Sequence, residues 1–166
     1  MKQQWKLVGL ILALQFALSI GAVADEAATK KAMVAKYQLI QQAIQNVDSE
    51  ILEKQLASNF VAKMSRKRTQ NRAQFIASQR VLFDAIIEVH VATLRINKVT
   101  VGKNRAVVIV TQIYDLEVED VQGRTHRLKE KSVCRDTWVQ VSGQWKNTVY
   151  EFVSGSASID GKNVPM

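Results

Sequence analysis

Cysteine, proline and histidine are nearly missing from this chain. Its 166 residues include one cysteine, Cys134, one proline, Pro165, and two histidines, His90 and His126. A lone cysteine excludes an internal disulfide, so the fold must be held by packing. Two histidines and one cysteine without close ligand spacing argue against a zinc centre, and neither metal nor cofactor is expected. There is no glycine-rich phosphate loop and no Gly-x-Ser-x-Gly turn. No aromatic side chain interleaves with the basic run Arg66-Lys67-Arg68, which leaves nothing there to stack bases and argues against a nucleic-acid partner. That run, continued by Arg72 and Arg80, reads as a solvated loop and helix face, suited at most to weak contact with anionic surfaces. Acids are also outnumbered: 23 Lys and Arg stand against 15 Asp and Glu, a formal +8. Such a balance favours acidic surfaces or ligands without specifying one.

Long apolar runs are scarce too, and the single one lies at the start. Lys2 and Lys6 precede an apolar stretch from Leu7 to Ile20, followed by Ala22-Val23-Ala24 and then Asp25 and Glu26. Positive, apolar and small-x-small segments in that order predict a cleavable export leader over residues 1–24. The stretch is shorter than the roughly 20 residues a membrane span needs. The expected product is periplasmic or secreted, with no membrane span after cleavage. It would comprise one domain over 25–156 and a flexible tail over 157–166.

The remaining chain divides into a helical first half and a strand-rich second half, the order of an α+β domain. Met33, Tyr37, Ile40, Ile44 and Val47 share one helical face. Asp48 is a fitting N-cap for a second helix carrying Leu52, Leu56 and Phe60. Asn71 and Gln74 have capping-box spacing for a third, with Phe75, Leu82, Phe83 and Ile86 turned inward. From Ile87 the period changes to two, which predicts antiparallel strands at about 88–101, 105–119, 124–142 and 144–154. Their length suggests one strongly bent sheet.

The charges choose a register. Pairing Asp120 with Arg124 across a three-residue loop, with Gly123 left-handed, sets Glu117 opposite Arg127 and Asp115 opposite Lys129. One face then gathers Val108, Val110, Gln112 and Tyr114 beside Asp136, Cys134, Ser132 and Glu130. Leu94 and Ile96 are out of phase with Val99 and Val101, so a β-bulge is expected near Asn97-Lys98, which adds His90, Ala92, Leu94 and Ile96 to that face. A last hairpin at Ser142-Gly143 adds Trp145, Asn147, Val149 and Glu151.

Three helices opening at these positions, four long strands, and the run Thr137-Trp138-Val139 followed by Gly143-Gln144-Trp145-Lys146 resemble the nuclear transport factor 2 (NTF2)-like superfamily, in its SnoaL-like bacterial branch. The resemblance covers about residues 31–154. It implies a cone-shaped curved sheet of about four long strands closed by three N-terminal helices, with a cavity inside and often a dimer through the outer sheet face. The superfamily includes ketosteroid isomerase, polyketide cyclases and binding domains without chemistry, so fold alone selects no function. The isomerase pattern needs a first-helix tyrosine, for which Tyr37 is placed, and two acids. Asp136 suits one of them, whereas Val61-Ala62-Lys63-Met64-Ser65 has no counterpart of the base.

The candidate pocket therefore comprises Tyr37, His90, Gln112, Tyr114, Glu130, Ser132, Asp136 and Asn147. Three functions are open: binding of a small, partly apolar molecule; a lyase or isomerase moving a proton between Tyr37, His90 and Asp136; and a homodimer or partner module. The last would use the other sheet face, where Val107, Ile109, Ile113, Val133, Val139, Tyr150 and Phe152 are expected. Cys134 reads as a small core residue, and His126, amid Arg124, Arg127 and Lys129, as solvated.

Overall fold

A computed structural model describes residues 26–165; the expected leader lies outside them. Helix α1 runs over 26–45 and buries Met33, Tyr37, Ala43 and Ile44, the face its spacing predicts. Val47 does not belong to that face. The helix has already ended, and Val47 takes a left-handed turn (φ 53°) and is exposed. Asp48 then caps α2 (Ser49–Gln55), its carboxylate accepting from the backbone N–H groups of Glu50 and Ile51.

The second helix stops earlier than its spacing implies. Leu56–Lys63 is strand β1, in which Leu56 and Phe60 are buried. Residues four apart share a face of a helix, but four is also an even number, so they share a face of a strand as well. Tertiary pairing decides: β1 lies parallel to a later strand, with Val61 opposite Val149 and Ala62 opposite Tyr150. The basic linker becomes a short 3-10 turn (Ser65–Lys67) and strand β2 (Thr69–Asn71), which pairs with β1. Helix α3 (Arg72–Ala85) opens on the expected capping box between Asn71 and Gln74, a motif worth about 1 kcal/mol.

Four long strands follow: β3 (Ile86–Gly102), β4 (Arg105–Glu119), β5 (Thr125–Val141) and β6 (Gln144–Ile159). The sheet is mixed, not purely antiparallel, in the order β2-β1-β6-β5-β4-β3. The β4–β5 register is the one the charges choose, with Asp115 opposite Lys129, Glu117 opposite Arg127 and Val108 opposite Asp136. Arg127 pairs with Asp115 and, at 3.2 Å, with Glu117 on the outer face. Gly123 is left-handed (φ 75°), as that loop requires. The expected tail instead completes β6 and turns back as β7 (Lys162–Val164). Asp160 and Gly161, both at positive φ, make the turn; Asp-Gly is a strong hairpin signal that was there to be read.

Extra residues bend the sheet. The expected bulge falls at Asn97, between the pairs Ile96–Val110 and Lys98–Ile109. Two more on β3 leave Ile87 and His90 unpaired, and on β6 Thr148 and Val153 are skipped in the pairing with β5. Each bulge sharpens the local twist and resets which side chains face inward. The sheet thus curls around α1 and α3. Beneath them lie three apolar clusters, centred on Met33–Trp138, Phe60–Phe75 and Ile44–Phe83.

Candidate functional site

The three clusters touch through only a few shared side chains, Ile40 and Leu94 between the first and third and Tyr150 between the first and second. Between them is a cavity of about 280 Å³, lined by all three helices and the concave face of the sheet. Its walls are apolar, from Ile40, Ile44, Leu52, Leu56, Phe60, Phe75, Phe83, Leu94 and Leu116 among others. Arg68 and Ser65, beside β2, are also on the lining, and Arg68 is exposed, which marks the mouth.

The deep end is polar. The fourth turn of α1 and the later half of β5 bring Tyr37, Asp136 and Trp138 together, all within 3% of full burial. Trp138 donates its indole N–H to the Tyr37 hydroxyl (3.3 Å), and Tyr37 in turn donates to Asp136 Oδ2. The two rings meet edge to face, 6.0 Å apart. This one-way chain uses both protons and reaches only one carboxylate oxygen. Asp136 Oδ1 has no hydrogen-bond partner, nor does Oδ1 of Asn147, which is buried beside it on β6. Burial pushes Asp136 from its usual 3.8 up to about 7, with Tyr37 and the Asn147 amide opposing the rise. The same burial, reinforced by the neighbouring carboxylate, lifts Tyr37 well above its ordinary range.

Of the residues proposed from the sequence, Tyr37, Gln112, Tyr114, Glu130, Asp136 and Asn147 all line this cavity. Ser132 is buried without lining it, and donates to Glu130 at 2.8 Å. Glu130 is raised by desolvation against that hydrogen bond. His90 is misplaced by the sequence reading. It is the unpaired residue of a bulge between Val89 and Val91, so its ring swings to the outer face. There it lies 3.1 Å from Glu117 and 3.4 Å from Glu88. These three side chains have metal-ligating types, but Glu117 already pairs with Arg127, whose charge disfavours a cation. A proton relay from Tyr37 through His90 to Asp136 is therefore geometrically excluded.

The bulge at Thr148 produces the opposite correction on β6. Past it Tyr150 and Phe152 face inward, opposite Asp136 and Cys134, while Val149 and Glu151 face outward. Glu151 pairs with Arg135 at 3.2 Å on that outer side. Sequence alternation alone inverted these four, and no local signal marks Thr148 as an extra residue. Tyr150 accepts from the Cys134 thiol (3.0 Å), whose burial raises its pKa to about 12 and leaves it inert as a nucleophile. Gln55, missed because it was placed mid-helix, closes the wall; its amide is held by Lys36 and by the Ile51 carbonyl.

Solved structures share this fold. A conserved protein from Planctomyces limnophilus superposes with a TM-score of 0.64 at 11% identity, over 84% of this chain and 99% of its own. An NTF2-like protein from Cytophaga hutchinsonii gives 0.58 at 19% identity, over 75% and 97% respectively. An NTF2-like protein of unknown function from Silicibacter pomeroyi gives 0.54 at 18%, over 77% and 97%. No protein-family model matches the chain, and no curated protein is matched by its sequence. The fold is that of the NTF2-like proteins. These likenesses speak to the fold and not to its SnoaL-like branch.

A buried carboxyl with a raised pKa keeps its proton in the folded state over a range where the unfolded chain has lost it. Stability then falls as pH climbs from 3.8 towards about 7, by up to roughly 1.4 kcal/mol per pH unit. Asp136→Asn keeps the shape and an acceptor for Tyr37 but cannot ionise. Urea unfolding at pH 5 and pH 8 is expected to show the variant gaining on the wild type as pH rises; an unchanged difference would contradict the assignment.

Proposed function

We propose that this protein is an exported small domain that binds a small, partly apolar molecule inside its cone. The observation that carries the reading is the unfilled space itself: about 280 Å³ with mainly apolar walls and a few polar groups at one end. Ligand sites are commonly built this way, with apolar surface supplying affinity and sparse polar groups fixing orientation. A neutral fluorescent probe, N-phenyl-1-naphthylamine, is expected to bind with a blue-shifted emission. Leu94→Trp, which places a larger side chain on the wall, should reduce that binding at least tenfold. Equal binding by wild type and variant would place the probe elsewhere and remove the support.

Export rests on Lys2, Lys6, the apolar stretch and Ala22-Val23-Ala24. No helix among the described residues is long and apolar enough to cross a membrane. Intact-mass measurement of the protein recovered from the periplasm or the medium is expected to show a chain beginning at Asp25. Retention of Met1 would refute cleavage.

A second reading, a lyase or isomerase, is favoured by one feature: Tyr37 and Asp136 are hydrogen-bonded to each other on the cavity lining. Burial there pushes the carboxyl up to about 7, a range that suits a general acid or base. With His90 outside, it would have to work through Tyr37 and Asp136 alone.

The outer sheet face supports a further proposal, that of a homodimer. Val107, Ile109, Val133 and Val139 are half-buried there and Ile113 is exposed, in a group flanked by the Asp115–Arg127 and Arg135–Glu151 ion pairs. Light scattering should give a dimer for the wild type and a monomer for Ile109→Glu. A monomeric wild type would refute the interface.

A further inference from the structure

We propose that the closed end of the cavity receives the protonated amine of an otherwise apolar molecule, with Asp136 Oδ1 and Asn147 Oδ1 as its acceptors. The proposal rests on the binding reading above and names the chemistry of its ligand. Both oxygens belong to side chains at least nine-tenths buried, both side chains line the cavity, and neither oxygen has a partner. Buried acceptors left unpaired are uncommon in folded proteins and call for an explanation.

Few donors remain at the deep end besides the Asn147 amide, which already acts on Asp136, and the proton of the carboxyl itself. The Trp138 N–H is committed to Tyr37, and the Tyr37 O–H to Asp136 Oδ2. A ligand that brings its own N–H groups satisfies both oxygens at once. An ammonium does so with three donors and a charge opposite to that of the carboxylate. A hydroxyl offers one proton and so leaves one oxygen unpaired. A carboxylate ligand offers none and meets Asp136, with Glu130 on the same lining. Among the described residues the one cationic side chain on the lining is Arg68, exposed at the mouth, so no positive charge competes at the deep end.

A proton is the competing occupant, since it neutralises the same carboxylate. The titratable groups around Asp136 are Tyr37 from α1, Tyr114 from β4, Cys134 and Glu130 from β5, and Tyr150 from β6. Burial raises all of them, so the tyrosines and the cysteine stay neutral near pH 7. Amine affinity should therefore rise with pH as Asp136 ionises, from about pH 6 to pH 8.

Displacement of the neutral probe by 2-phenylethylamine, 2-phenylethanol and phenylacetate compares three head groups on one apolar body. On protein produced from the full-length chain at pH 8, the amine is expected to bind at least tenfold tighter than either analogue. That preference should shrink at pH 6 and vanish in Asp136→Asn, with Asn147→Ala losing part of it. An alcohol or carboxylate that binds as tightly as the amine overturns the proposal, as does a preference unchanged by Asp136→Asn. In those cases a probe that still binds leaves the cavity reading standing; failure of the probe itself removes both. Should Asp136→Asn lose probe binding through misfolding, the wild-type pH series decides, and an amine preference flat between pH 6 and pH 8 refutes the proposal.

Discussion

Curvature in the sheet is the constraint from which the rest follows. A flat sheet would lie against α1 and α3 along its whole length, and the apolar side chains of both layers would interdigitate to native density. The extra residues at Ile87, His90 and Asn97 on β3, and at Thr148 and Val153 on β6, prevent this by twisting the strands away from the helices. The apolar clusters form where the layers touch, around Trp138, Phe75 and Phe83, and a hollow is left where they part. The bulges also choose its lining, because each one reverses the alternation beyond it. His90 is turned out and Tyr150 turned in by the same device.

A hollow of this kind works against the stability of the domain, and the polar end does so more than the walls. Asp136 is buried with one oxygen bonded and the other not, an arrangement that an apolar side chain of similar size would avoid. The cost is partly offset because the carboxyl holds its proton to about pH 7, so at mildly acidic pH little charge is buried. Local sequence preferences elsewhere agree with the fold, from the Asp48 cap and the Asn71–Gln74 capping box to the cross-strand pairs of Asp115 and Glu117. Departure from such agreement at one buried cluster is the usual mark of a functional site.

Much of the scaffold was legible because it rests on short-range rules. The α1 stripe, both N-caps, the Asp120–Arg124 loop and the β4–β5 register all follow from residues near one another in the chain or paired across one tight turn. Those rules put Gln112, Tyr114, Glu130, Asp136 and Asn147 on one sheet face, Tyr37 on the buried stripe of α1, and one bulge where hydrophobic phase breaks; that a cavity lies between them came from the family resemblance. The errors arose where a rule is degenerate or silent. Spacing of four cannot tell a helix from a strand, so β1 was read as part of a helix. Polar and β-branched residues around Thr148 look the same whether or not one of them is skipped.

By itself, then, the chain determined α1 and α3, the four long strands, the two helix caps and the β4–β5 pairing, since these depend on backbone preference and on charges a few residues apart. Only the tertiary structure decided that β1 lies parallel to β6 and that His90 faces water while Tyr150 does not. It also decided that the Tyr37 hydroxyl donates its hydrogen bond to Asp136, 99 residues away. Those outcomes depend on where distant surfaces meet and on how far the sheet bends to meet them. That balance is struck across the whole domain, and no window of the sequence contains it.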